Sequence, residues 1–309
     1  MRRTGMSGHG AFSEEALSFD CAGERLVGIA AVPKKQALGD IAVLIVVGGP
    51  QVRIGSHRHF VQLARTLASN GVPTLRFDVR GMGDSSGERR DFTQLDDDIE
   101  AGISTLQRHC PEVRRVVLWG LCDGASASLL YLFATGDARV AGLVLLNPWV
   151  RSAETLARAN VKHYYRDRLK QPEFWRKLLS GQVAAKAVAE LIGNLRTAMT
   201  RPGGADRSAA NSRPGPDSPF TDRMLHAARL FDGPMLFVLS GRDYTAKEFL
   251  ETVSAEQRWQ DVLGRATTTT CHLPDADHTF SAPEHASEVD ARTLQWLQGV
   301  CGTQDAGQP

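Results

Sequence analysis

The run VVLWGLCDG at 116–124 constrains this chain more than any other stretch, because a continuous apolar segment ends in Gly-x-Cys-x-Gly. An apolar run of this length reads as a strand buried on both faces. Gly120 and Gly124 make room for that strand to turn sharply into a helix. The turn holds the residue between them, Cys122, in a strained backbone conformation with its side chain exposed. The first amide of the helix, that of Asp123, then points at the space in front of the thiol, where it stabilises an anion. A buried cysteine at a strand end is also a commonplace small hydrophobe, so the surrounding pattern has to decide.

That pattern alternates. Residues 16–20 and 25–32 read as an opening hairpin, and IAVLIVV at 41–47 is a β-branched run suited to a mostly parallel sheet. Ser56 is placed to cap a helix whose apolar face is Phe60, Leu63, Ala64 and Leu67. Strand 73–79, the turn-rich GMGDSSG and a helix carrying Leu95, Ile99, Ile103 and Leu106 follow. After strand 113–119 and helix 123–133 come strands at 140–147, 234–240 and 267–273. Thr245-Ala-Lys-Glu248 has the form of a capping box, and Ser281-Ala-Pro-Glu284 opens a last helix. Strand–helix alternation of this kind predicts a doubly wound, mostly parallel α/β sheet with right-handed crossovers.

The rhythm breaks between 150 and 232. Residues 151–200 are rich in Ala, Leu, Arg and Lys, and 201–219 are rich in Gly, Pro, Ser and Asp. The expected organisation is a flexible N-terminus at 1–15, a core built from 16–150 and 232–300, and a helical lid at 151–231 closed by a mobile segment at 201–219.

Composition narrows the functions. A 309-residue chain with 42% hydrophobic and 23% charged residues and net charge +1 gives no reason to expect nucleic acid as partner. Cysteines at 21, 110, 122, 271 and 301 show no C-x-x-C spacing, which argues against a disulfide framework and against a structural zinc site, and favours a reducing compartment. The N-terminus lacks a signal-peptide core, Met6 offers an alternative start, and the longest apolar runs are too short to span a bilayer. The expectation is a cytoplasmic protein with no cofactor, no metal and no membrane span.

A cysteine nucleophile needs a base, and the base needs an orienting acid. Asp243, in SGRDYT, and His278, in PDADHTF, each follow a strand, where open α/β sheets bind ligands. The chain order Cys122, Asp243, His278 is the order nucleophile, acid, histidine. Other candidates fit less well. His57 and His59 start a helix and read as surface residues, and Asp275, Asp277 and His272 match no metal-ligand spacing. Asp96, Asp97 and Asp98 favour the positive end of their helix. A second oxyanion donor is expected from VGGPQ at 47–51, with Gly49 N–H the first choice and Gln51 N–H the second, since Pro50 has no donor.

With these residues in view, the chain resembles the α/β-hydrolase superfamily over residues 16–300. GGP at 48–50 resembles its H-G-G-P oxyanion loop, with Val47 where that motif has histidine. FDVRGMGDSSG at 77–87 resembles the D-x-R-G-x-G-x-S loop of lysophospholipase-like and serine aminopeptidase-like members, a mainly structural element there. More narrowly, GGPQVRIGSHRHFVQLA, RFDVRGMGDSSG, GLCDGASA, SGRDYTAKEF and DADHTFS together resemble the hydrolase 1 family associated with exosortase A systems. The resemblance implies a Cys-His-Asp hydrolase linked to exopolysaccharide and protein sorting. Dienelactone hydrolases are a further relative with cysteine at an elbow.

The chemistry expected is attack of Cys122 on a small-molecule ester or thioester, with water resolving the acyl-enzyme. Two alternatives stand beside it: acyl transfer to a sugar hydroxyl, and a non-catalytic protein of the same fold that binds a lipid or partner. Because the Asp123 carboxylate opposes a thiolate next door, the resting group is expected to be a thiol hydrogen-bonded to neutral His278.

Overall fold

The computed structural model describes residues 11–34, 38–151 and 213–305. The chain divides into two compact units, residues 1–150 with 216–309 and residues 151–215. All elements named below belong to the first. The helices expected at 151–200 and most of the segment at 201–219 lie outside the described residues.

An eight-stranded sheet runs through this unit in the order β1-β2-β4-β3-β5-β6-β7-β8. β1 (Phe12–Cys21) and β2 (Glu24–Pro33) form the expected hairpin, joined through Ala22 and Gly23 at positive φ. β2 pairs antiparallel with β4 (Thr74–Asp78); β3 (Ile41–Val46), β5 (Arg115–Leu121), β6 (Val140–Leu146), β7 (Met235–Ser240) and β8 (Thr268–Leu273) continue the sheet in parallel. β1 begins at Phe12, inside the stretch expected to be flexible. Pairing with Pro33 and ion pairs from Glu14 to Arg65 and Arg76 hold it on the sheet.

Alternation along the buried strands sends side chains to two faces. Leu44, Phe77, Leu118, Leu143 and Phe237 pack on one side with α2 (Asp96–His109), α3 (Asp123–Thr135), α4 (Phe220–Leu230), α5 (Tyr244–Ala255) and α6 (Gln257–Leu263). Val43, Ile45, Trp119, Val144 and Val238 face the other way, toward α1 (His59–Ser69) and α7 (Pro283–Asp305). Helices on both faces of a largely parallel sheet make this the doubly wound α/β fold that the alternation predicts. Helix α4 falls within the stretch expected to be inserted, yet its Met224, Leu225, Ala227 and Ala228 are buried in the core of the first unit.

Two expected caps are corrected. Ser56 makes no side-chain cap. It opens a short 3-10 turn, and α1 starts only after His57 and Arg58 at φ 51° and 63°. Thr245 lies inside α5, whose cap is Asp243: its carboxylate reaches the free amides of Thr245 and Ala246 at 3.2 and 3.0 Å. A carboxylate two residues earlier is the stronger acceptor for these amides, and the positive helix end favours it.

Candidate active site

Cys122 joins β5 to α3 at φ 57°, ψ −118°, a conformation that side chains other than glycine rarely adopt. It is held there from both sides. Its N–H donates to the Leu146 carbonyl at 2.8 Å, and its own carbonyl accepts from the amides of Ala125 and Ser126. Glycines make the surrounding approach possible. A Cβ at Gly120 would lie 2.3 Å from the Gly124 carbonyl carbon, and one at Gly124 would lie 2.2 Å from the Val46 oxygen. A Cβ at Gly48 would meet the Gly124 nitrogen at 2.2 Å. The loop after β3 is thus laid directly on the first turn of α3, which requires hydrogen at all three positions.

His278 and Asp243 are brought together as expected from their loops. Nδ1 of His278 lies 2.9 Å from Oδ2 of Asp243. The Asp243 side chain is 6% exposed and that of His278 34%, so the acid is enclosed while the ring keeps an open edge. Burial opposes ionisation of Asp243, but the hydrogen bonds from His278, Ala246 and Thr245 win and hold its pKa below the usual value. The bond to Asp243 raises His278 above its ordinary value, against the effect of burial.

One contributor escapes the sequence reading. Asn147, at the end of β6, is fully buried at φ 43°. Its Nδ2 donates to Ser240 Oγ at 2.9 Å and to the His278 carbonyl at 3.1 Å, and its Oδ1 accepts from Ser240 N–H at 2.9 Å. Ser240 Oγ in turn donates to the Asp277 carbonyl at 2.9 Å. The histidine loop is therefore tied to the ends of β6 and β7 by a buried network. The available signal was a polar residue ending the apolar strand VAGLVLLN.

The nucleophile side differs from expectation. The Cys122 thiol donates to Asp123 Oδ1 at 3.4 Å, and among the described residues no hydrogen bond joins it to His278. Burial first, then the Asp123 carboxylate, pushes the thiol pKa far up, while the Asp123 backbone amide acts in the opposite direction. The thiol's hydrogen-bond partner is thus not the one expected; the adjacent carboxylate takes that place. Gly49 sits at φ 61° beside the Asp123 side chain, and its backbone amide favours the ionised carboxyl. Gln51 N–H closes a turn onto the Gly48 carbonyl at 3.4 Å, so the second-choice oxyanion donor is engaged elsewhere.

The remaining candidates find structural partners. His59 is buried, not on the surface: its ring meets Trp119 edge-on at 5.7 Å, and its Nε2 lies 3.3 Å from Asp290 Oδ1. The late start of α1 turns it inward. His57 is exposed. Asp277 accepts from Thr279 and Ser281, and Asp275 pairs with Arg242. Asp98 is buried and holds Arg80 through both its backbone and guanidinium, with Asp97 also on Arg80; Asp96 is pushed up to about 6 by burial. Asp78 gathers the amides of Arg53 and Asp84, and Ser85 donates to the Asp78 carbonyl, so this loop is a brace. Among the described residues no cluster of His, Cys, Asp or Glu is arranged to hold a metal, and no helix is long and apolar enough to cross a membrane.

The strained cysteine follows β5, and the acid and the histidine follow β7 and β8, all at the same end of the parallel sheet. Residues 42–196, half of the chain, match the sequence profile of the serine aminopeptidase family S33. The chain belongs to this S33 family of α/β-hydrolases. Its elbow therefore carries cysteine in a family named for serine. An esterase from Pyrococcus furiosus shares the S33 protein's fold with a TM-score of 0.60 at 18% identity, over 94% of each chain. Est1E from Butyrivibrio proteoclasticus, solved with ferulic acid bound, aligns with a TM-score of 0.57 at 16% identity over 92% of this chain and 98% of its own. A putative dienelactone hydrolase from Klebsiella pneumoniae gives 0.56 at 19% identity over 93% and 99%. Among curated proteins no sequence is significantly similar to the chain.

Proposed function

We propose that this S33 protein hydrolyses a small-molecule ester or thioester through Cys122, His278 and Asp243. The observation that carries the reading is the His278–Asp243 pair at 2.9 Å, anchored by Asn147 on the loops that follow β7 and β8. An acid-oriented imidazole is what a strained cysteine at the same end of the sheet needs. In the reaction, His278 takes the thiol proton as sulfur attacks the carbonyl carbon. The Asp123 and Gly49 amides stabilise the oxygen that gains charge. Collapse expels the alcohol or thiol, which takes the proton from His278. Water, deprotonated by the same ring, then attacks the acyl-enzyme and frees the thiol.

Esters and thioesters are favoured over amides, because an amine leaving group needs more acid assistance than an alkoxide or thiolate. A cavity of about 290 Å³ beside Asp123, lined by Val47, Val79, Met82 and Phe92 and by the charged Arg89, Arg90 and Asp91, has room for a short acyl group. The likeness to the exosortase-associated hydrolases favours a role linked to exopolysaccharide. The same intermediate would also deliver its acyl group to a sugar hydroxyl in place of water.

Intact-mass spectrometry against p-nitrophenyl esters and acyl-CoA thioesters tests the proposal. An adduct on Cys122 that forms and decays, absent from Cys122→Ala and slowed in His278→Ala, is the expected result. No adduct across the panel on a thiol that iodoacetamide reaches would turn the reading toward a binding protein.

A further inference from the structure

The backbone of Asp123 belongs to the helix start, but its side chain lies where a different group should be. Oδ1 receives the thiol hydrogen of Cys122 at 3.4 Å. Oδ2 faces the loop after β3, so that a Cβ on Gly49 would be only 3.5 Å from it, and a Cβ on Gly48 would lie 2.7 Å from the Asp123 Cβ. The carboxyl thus bridges the sulfur and the loop that has to supply the second oxyanion donor. A substrate carbonyl attacked by this sulfur must bring its oxygen to the same loop and to the Asp123 amide.

We propose that Asp123 is a self-occluding residue: at rest its carboxyl fills the oxyanion position and holds Cys122 as a hydrogen-bonded thiol, and a substrate must displace it. This rests on Cys122 being the nucleophile. The neighbouring cavity, which Asp123 borders together with Arg89, Arg90 and Asp91, gives the displaced carboxyl room, with two guanidinium groups and one carboxylate on its wall. Burial, with Asp91 adding to it, raises the pKa of Asp123, so the carboxyl is held in a setting that its charge disfavours. Moving it into the open cavity relieves the burial part of that penalty and takes the neighbouring negative charge away from the sulfur. The resting site gains protection, since a thiol is far less reactive toward oxidants and electrophiles than a thiolate.

Alkylation reads this without turnover. Wild type, Asp123→Asn and Asp123→Ala are treated with iodoacetamide at neutral pH, and modification of Cys122 is followed by peptide mass. The alanine variant is expected to react at least tenfold faster than wild type. The asparagine variant should fall between, because its amide keeps an acceptor and loses the charge. A rate in Asp123→Ala no greater than that of wild type overturns the proposal; should that variant fail to fold, Asp123→Asn decides on the same criterion. Acylation by p-nitrophenyl esters in the same samples separates the two ideas. Faster alkylation with no acylation in any variant leaves the occlusion standing and removes the acyl chemistry.

Discussion

The two sides of the site are held by opposite means. On the His278 side a neutral side chain, Asn147, and the Ser240 hydroxyl join strand ends to the loop through buried hydrogen bonds. On the Cys122 side Gly48, Gly120 and Gly124 allow backbone to lie on backbone, and the polar side chain that meets the thiol is a carboxylate. One side is built from matched donors and acceptors, and the other from missing Cβ atoms. The histidine side should therefore fail gradually when partners are removed. The elbow should fail steeply when atoms are added.

The sharpest break comes from the chemistry of the histidine side. His278→Ala is expected to lower kcat/KM for an ester by about a thousandfold, roughly 4 kcal/mol of transition-state stabilisation. Alkylation of Cys122 should survive, which steady-state rates and peptide mass together check. A loss of only a few-fold would mean that another group takes the thiol proton.

Next in size is the steric side. Gly124→Ala puts a Cβ 2.2 Å from the Val46 oxygen, where no flexible side chain can yield. The expected loss is about 3 kcal/mol, at the upper end for overpacking, measured by urea denaturation. Gly49→Ala is the control: its nearest contact is 3.5 Å, so only its positive φ matters and about 1–2 kcal/mol should go. Equal losses at the two positions would refute the steric account.

Asn147→Ala tests the opposite side. It strands the Ser240 amide in a buried setting, a cost of about 1–3 kcal/mol. It also frees the His278 carbonyl, so kcat should drop with KM little changed. A variant of lower stability with undiminished kcat would leave Asn147 as a brace for the sheet alone.

The same contrast explains what the sequence discloses. Missing Cβ atoms are visible as letters, so Gly-x-Cys-x-Gly and VGGPQ mark the elbow and its neighbouring loop directly. Strand ends are visible as the limits of apolar runs, which put Asp243 and His278 in the right loops. A side-chain hydrogen bond has no such mark. Asn147 looked like the end of a strand, Thr245 took the cap that belongs to Asp243, and His59 looked exposed because nothing in SHRHF announces two residues at positive φ. The Asp123 carboxyl shows in the sequence only as a charge. Its aim at the thiol depends on a side-chain torsion, which the sequence does not carry.

The smallest effect expected is in the pH dependence, and here stability and rate move in opposite directions. The bond to Asp243 lifts His278 above 6.5, its ordinary value. Because the folded pKa is the higher, the pair's contribution to folding is complete below about 6.5 and fades as pH climbs through the folded value. Catalysis needs the uncharged ring, so the rate should climb over that same interval. The thiol cannot supply this limb, since burial and the Asp123 carboxylate hold it protonated well beyond neutrality. Asp243→Asn removes the charge that lifts His278, so the acid limb of kcat/KM should shift to lower pH while the fall in stability above about pH 6.5 flattens. The profile of an ester substrate and denaturant midpoints at the same pH values measure both. A limb that stays in place in Asp243→Asn would assign the titration to another group and leave the His278–Asp243 pair with a purely orienting part.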